Sequence, residues 1–309
     1  MTFNKIVIVD QAGLDERALQ ELNKFSKKGV IKYENTPGTE EEIVKRISDA
    51  ECILVSWNTQ ITKAILNQCP NLKYVGMCCS LYDERSANVD IAFARQNNIV
   101  VKGVRDYGDE GVVEYIMSEL IQLIKGIGKR QWKKEPVELT NRKLGIIGLG
   151  TTGRMLADRA KAFNMDVHYY SRNRKEEVER DGIKYLPIDQ LLGQMEMISI
   201  HLPKNTTILG EQEFRHLGEG KILINTSLGL TFERSAFLKW VQTPENYAIL
   251  DGDGIGPFSQ EFSSCERIIS TNVVSGWTKE AKERLSRKVV DNIRSYAANI
   301  FMPPASTGW

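Results

Sequence analysis

The chain has 309 residues, with 41 Lys+Arg against 40 Asp+Glu for a formal net charge of +1, and 41% of its residues are apolar. Such values suit ordered globular domains with sizeable cores, and they provide no bulk field to draw nucleic acid or an anionic membrane as partner. The opening MTFNKIVIVDQAG carries one lysine and an apolar run of strand length; it reads as neither a secretory leader nor a membrane span, so a cytoplasmic protein with a small-molecule substrate is expected.

Short apolar runs then alternate with helix-periodic segments. Strands are expected at Lys5–Val9, Val30–Tyr33, Cys52–Ser56, Tyr74–Met77 and Ile99–Val101, with helices between them, as in the βαβ units of a parallel sheet. Cys78 and Cys79 close the fourth run, where one thiol should enter the core and the other face a cleft. Gly111–Lys125 reads as a longer helix with Val112, Val113, Ile116, Leu120 and Leu123 on one face, followed by a polar connector through Lys134. A second α/β run starts at Lys143, with six strands expected at Leu144–Gly148, Asp166–Tyr170, Met197–His201, Ile222–Asn225, Ala248–Asp251 and Ile268–Val274. The closing helix, Thr278–Ile300, presents Ala281, Leu285, Val289, Ile293 and Ala297 on one face, and the tail 301–309 is too rich in Pro and Gly to extend it. Five cysteines and three histidines show no C-x-x-C pair and no zinc-like spacing, so no metal is expected. The pattern predicts an α/β protein of two Rossmann- or flavodoxin-like doubly wound parallel-sheet domains with a cleft between them.

Within the second run, Leu144–Ala160 reads LGIIGLGTTGRMLADRA. Gly148 makes the tight turn out of the strand, Gly150 lets backbone approach a pyrophosphate, and Gly153 lets the helix pack closely on the sheet. Amides from Thr151 and Thr152 onward then face the phosphates.

Other landmarks fall in order around this turn. They are Thr59–Thr62 followed by Pro70-Asn71-Leu72-Lys73, Val112-Val113-Glu114, Trp132, His201-Leu202-Pro203, Ile224-Asn225-Thr226-Ser227 and Thr278-Lys279-Glu280-Ala281. On these residues the chain resembles the D-isomer-specific 2-hydroxyacid dehydrogenases over nearly its whole length. The resemblance implies a flavodoxin-like substrate domain of residues 1–104 plus 282–309, a Rossmann dinucleotide domain of residues 105–281, and a homodimer built on the latter. It also implies cofactor contacts from His201, Pro203, Thr207, Thr226, Ser227, Asp251 and Gly276.

NAD-users of that family carry an acidic residue after the second cofactor-domain strand. Here the position is Ser171, with Arg172, Arg174 and Lys175 close behind. A hydroxyl and three cations in place of a carboxylate favour NADP(H) over NAD(H).

The family's reaction uses an arginine clamp, a glutamate and a histidine, and in register those positions hold Leu228, Gly256 and Val273, with Asn272 before the last. None of the three can bind a carboxylate or move a proton. The family's carboxylate loop also departs, reading Cys79-Ser80-Leu81-Tyr82-Asp83-Glu84-Arg85-Ser86. An ordinary 2-keto acid is therefore an unsuitable substrate. Two readings follow: an NADPH-dependent reductase of an imine, an activated C=C bond or another carbonyl, or an inactive NADP(H)-binding sensor or partner-binding module. Tyr82, Asp83, Arg85, Tyr107 and Asp253 are candidate polar partners of a substrate, each with an alternative reading as a turn or surface residue.

Overall fold

A parallel sheet organises each of the two units into which the chain divides, Met1–Tyr107 with Lys279–Trp309, and Gly108–Thr278. The computed structural model describes residues 2–204, 206–271 and 273–301, so Asn272 and the tail after Phe301 lie outside the described residues.

The first unit runs β1 (Ile6–Ile8), α1 (Glu16–Asn23), β2 (Val30–Lys32), α2 (Glu40–Ile47), β3 (Cys52–Val55), α3 (Lys63–Asn67), β4 (Tyr74–Ser80), α4 (Ile91–Gln96) and β5 (Val100–Val104), with a 3-10 turn at Glu84–Ser86. Strand order is β2-β1-β3-β4-β5, every pair parallel. Every residue of β1 and β3 is buried, as expected of parallel strands covered on both faces. Each helix starts where a short polar side chain takes up an orphan amide: Asp15 accepts Ala18 N–H, Thr39 accepts Glu42 N–H, Thr62 accepts Ile65 N–H and Asp90 accepts Phe93 N–H. Such caps contribute about 1 kcal/mol apiece. Buried Asp10, at the end of β1, accepts the Ser56 N–H at 2.8 Å and the hydroxyls of Ser56 and Thr59 at 2.7 and 2.5 Å, which gives the early threonine a bracing role.

The last helix, Lys279–Phe301, belongs to this unit. Tyr296 stacks on Phe3 with ring centroids 5.4 Å apart and meets Tyr74 at 4.9 Å, while Asn292 Nδ2 donates to the Gly103 carbonyl at 3.0 Å. Strand β4 runs past the expected end at Met77 and carries an irregularity between Gly76 and Ser80. Strict side-chain alternation lapses there. Both Cys78 and Cys79 are buried, correcting the expectation that one faces a cleft.

The second unit runs α5 (Asp109–Lys125), β6 (Lys143–Ile147), α6 (Thr151–Ala162), β7 (Asp166–Tyr170), α7 (Glu176–Glu179), β8 (Lys184–Tyr185), α8 (Ile188–Gln194), β9 (Met197–Ile200), α9 (Glu211–Leu217), β10 (Ile222–Asn225), α10 (Arg234–Val241), β11 (Tyr247–Leu250), α11 (Ser259–Ser263) and β12 (Ile268–Ser270). The order β12-β11-β10-β9-β6-β7-β8 reverses direction at β6, where a doubly wound sheet opens its ligand crevice. Seven strands stand where six are expected, because β8 is a two-residue edge strand too short to show alternation.

Residue parity divides the core of this unit. Leu144, Ile146, Met197, Ile222, Ile224 and Ile249 pack on one face with Val113, Ile116, Leu120 and Leu123 of α5. Ile147, Ile198, Ile200, Leu223, Ala248 and Leu250 pack on the other with Phe237 and Trp240 of α10. The period-two geometry of a strand sends alternate side chains to opposite faces, so one apolar run feeds two layers. Among the described residues no helix is long and apolar enough to cross a membrane.

Candidate dinucleotide site

The carboxyl ends of β6, β9, β10 and β11 deliver four loops to one edge of the second sheet. In the first loop each glycine meets a different constraint. Gly148 has φ +93°, and a Cβ there would lie 2.2 Å from the His201 carbonyl oxygen. A Cβ on Gly153 would stand 2.4 Å from the Gly148 carbonyl oxygen, whereas one on Gly150 would meet nothing within 4 Å. Gly150 is also the N-cap of α6 and offers no side-chain acceptor, which leaves the first amides of that helix for an anion. Beside them is an open depression of about 580 Å³, lined by Gly150, Thr151, Arg154, Met155, Asp158, Arg159 and Lys175. Thr151 is exposed, whereas Thr152 turns inward and donates its hydroxyl to Asp109 in the first turn of α5.

The loop after β7 packs against the glycine turn. Ser171 Oγ accepts the Leu149 N–H at 3.0 Å, and Lys175 Nζ donates to the Leu149 carbonyl at 2.6 Å. Arg172 is exposed and makes no ion pair among the described residues. Arg174 is exposed and paired within its own segment. Its guanidinium grips Glu179 with two bonds of 2.8 and 2.6 Å and lies over the Tyr185 ring, so it is already neutralised. Lys175 and Arg154 are the additions to the expected set: one bonds the glycine turn, the other lines the depression while pairing with Glu177 at 2.5 Å. The three-cation count of this loop was the signal for Lys175.

The remaining loops are laced together by side chains expected to face the cofactor. Ser227 Oγ donates to the Ile200 carbonyl and accepts the Leu202 N–H, both at 3.1 Å, so its hydroxyl braces two loops. Asp251 is 1% exposed, and its oxygens accept the Gly254 N–H at 2.7 Å and the Ser275 N–H and hydroxyl at 3.0 and 2.6 Å. It is a buried carboxylate that ties Gly254 to Ser275. Gly276 packs on the backbone of Gly108, where a Cβ would stand 3.1 Å from the carbonyl oxygen. Pro203 and Thr207 are exposed. Two hydroxyls of the loop after β10, Thr226 Oγ1 and Thr231 Oγ1, are buried without a hydrogen bond among the described residues, and Thr226 directly follows the strand end. The buried Thr226 hydroxyl, an uncapped helix and an open glycine together fit a bound dinucleotide.

His201 follows β9, its Nε2 2.9 Å from Ser199 Oγ. Withdrawal from water lowers its pKa from an ordinary 6.5 to about 4, so the ring is neutral at pH 7. Between those values the unfolded chain binds the extra proton, so stability rises with pH through this window and is lost as pH falls toward 4. Urea unfolding at pH 4.5 and pH 7 is expected to show a loss of up to ~3 kcal/mol from this group, and His201→Gln should flatten that part of the slope.

At the altered positions Leu228 is 38% exposed and Val273 66% exposed, while Gly256 adopts φ +57°. Asp253 is half-buried near them. Burial raises its pKa to about 6, the charge of Asp251 adds to this, and Lys204 opposes it.

The other polar candidates lie in the first unit. Asp83 is an exposed cap: it accepts the Ser86 N–H at 2.9 Å, and Ser86 Oγ accepts the Asp83 N–H at 3.1 Å. The Ser86 N–H holds its carboxyl below the usual range, which fits the notion of a turn residue. Arg85 is exposed. Tyr82 lies under the Arg105 guanidinium, which donates to the Leu81 and Tyr82 carbonyls at 2.6 and 2.7 Å. The Tyr107 carbonyl accepts Arg284 Nε at 2.8 Å.

Fold and site together define a dinucleotide-binding α/β oxidoreductase. The profile described as D-isomer specific 2-hydroxyacid dehydrogenase, NAD binding domain, matches residues 115–272, just over half of the 309 residues. The chain belongs to this family. The glyoxylate reductase of Thermococcus litoralis is 26% identical over 97% of this chain and 95% of its own length. The hydroxypyruvate reductase of Blautia hydrogenotrophica is 24% identical over 94% and 96%. Among solved structures, an acyclic imino acid reductase, Bsp5, in complex with NADPH and D-arginine, matches with a TM-score of 0.78 at 23% identity, covering 96% of this chain and 97% of that one. This last likeness is one of fold.

Proposed function

We propose that the chain is an NADPH-dependent reductase of a C=O, C=N or activated C=C bond in a compound other than an ordinary 2-keto acid. The reading is carried by Leu228, Gly256 and Val273, which stand where the resemblance puts the arginine, glutamate and histidine, beside the glycine turn Gly148–Gly153. When bound, the dinucleotide supplies the hydride. The amides beyond Gly150 and the ammonium of Lys175 hold its pyrophosphate, Ser171 and Arg172 receive the 2′-phosphate, and Thr226 Oγ1 donates its unused hydroxyl hydrogen. A NADPH complex of an imino acid reductase with this fold supports the direction of the proposal. In this reading residues 108–278 bind the dinucleotide, the other unit binds substrate, and the protein is a homodimer through the former.

The vacant catalytic positions also favour a second reading, binding without turnover, which NADPH oxidation by any imine, enone or carbonyl would exclude. Cofactor choice is tested by Arg172→Asp. The variant is expected to weaken NADPH binding ~10- to 100-fold, the worth of one or two charge-assisted hydrogen bonds, while leaving NADH within about threefold, as read by fluorescence titration. Unchanged NADPH affinity, or wild-type preference for NADH, refutes NADPH selectivity.

A further inference from the structure

Asp253 sits where the three altered positions converge. Its main-chain carbonyl accepts the N–H of Gly229, next to Leu228, at 3.0 Å and that of Gly256 at 3.3 Å, while the Gly252 N–H reaches the Val273 carbonyl at 3.0 Å. Asn225 Nδ2 fastens this junction by donating to the Gly229 and Gly254 carbonyls at 3.0 and 3.1 Å. Gly254 allows the close approach, since a Cβ there would stand 2.0 Å from the Asn225 carbonyl oxygen. The backbone of Asp253 is thus clamped from two loops. Its half-buried carboxyl makes no hydrogen bond among the described residues. Asp251, two residues earlier, contrasts with it: buried, with both oxygens occupied. One carboxylate builds the loop and the other is left available.

We propose that Asp253 is the proton donor that replaces the family histidine, acting on a neutral aldehyde, ketone or imine with no carboxylate beside the reducible carbon. The inference rests on the reductase reading above. In the step, the Asp253 O–H bond breaks and its proton joins the oxygen or nitrogen of the C=O or C=N bond. The π bond opens, the carbon is reduced by the hydride, and the dihydronicotinamide is oxidised. The carboxylate left on Asp253 regains its proton from water. Two features of the chain suit it to this. Burial and the Asp251 charge hold the carboxyl protonated to about pH 6, with Lys204 the opposing cation. Groups that titrate near the working pH donate most effectively. Leu228 and Val273 expose apolar side chains at the junction, which offer no partner to a substrate carboxylate.

Two measurements on the full chain test this. Carboxyl ¹³C NMR of aspartate-labelled protein without dinucleotide, with the resonance assigned by its loss in Asp253→Asn, is expected to show a midpoint near pH 6. A midpoint in the ordinary carboxylate range overturns the proposal whatever the activity. NADPH oxidation is then followed with benzaldehyde, cyclohexanone and 1-pyrroline, with pyruvate as the carboxylate-bearing control. Wild type is expected to reduce at least one neutral probe, with kcat falling as pH rises past the NMR midpoint. Asp253→Asn should lose ~10²-fold or more in kcat and its pH limb while NADPH affinity stays within about twofold, and Asp253→Glu should recover part of the rate. Full retention of kcat in Asp253→Asn overturns the donor and leaves the reductase standing. Absence of oxidation with every probe overturns the donor, and absence with cyclohex-2-enone as well overturns the reductase reading.

Discussion

Gly150→Glu is expected to abolish dinucleotide binding and leave the fold intact. Gly150 has an ordinary φ of −82°, and a Cβ would enter open space. A glutamate there therefore brings no strain, and a negative charge at the start of α6 is mildly stabilising, by ~0.3–1 kcal/mol. The same carboxylate occupies the amides that a pyrophosphate needs and repels it. NADPH affinity should fall ~100-fold or more, equivalent to ~3 kcal/mol, with the thermal midpoint shifted by no more than about 4 °C. Gly148→Ala is the contrast, because φ +93° and the His201 carbonyl 2.2 Å from the new atom should damage the fold itself. Retained NADPH binding in Gly150→Glu, by fluorescence titration, would remove this turn from the site.

Leu228→Arg combined with Val273→His should raise reduction of pyruvate or glyoxylate by ~10²- to 10⁴-fold, the range a positioned acid contributes, with further gain from a bidentate clamp. Both side chains are exposed, at 38% and 66%, so larger polar replacements need no cavity. NADPH oxidation measures the outcome. A well-folded double variant with no gain would show that these positions do not correspond to the family's clamp and acid.

Strand and helix positions were legible because alternation and helical periodicity are local properties of the backbone. β7 and β10 fall at the expected residues, and the glycine spacing of Gly148, Gly150 and Gly153 announced three distinct steric roles. What stayed hidden was the choice among partners. Nothing in the run Ser171–Lys175 distinguishes an arginine that meets solvent from one that folds back onto Glu179, five residues on, or a lysine that reaches the Leu149 carbonyl. Which of Asp251 and Asp253 has its oxygens occupied was hidden too, because Ser275, a partner of Asp251, lies 24 residues later. β8 escaped because two residues carry no period.

The left-handed turn at Gly256 bears on how such a chain could change its chemistry. With φ +57°, the backbone at this position excludes an L side chain at a cost of ~1–2 kcal/mol. A glutamate placed there strains a loop held by the Asp253 carbonyl and by Asn225. Gly256→Glu alone is expected to lower stability by ~1–2 kcal/mol, read as a fall in the urea midpoint, without a gain in keto-acid reduction. The turn at Gly256 is thus harder to refill than Leu228 and Val273, whose exposed side chains can be enlarged without backbone strain.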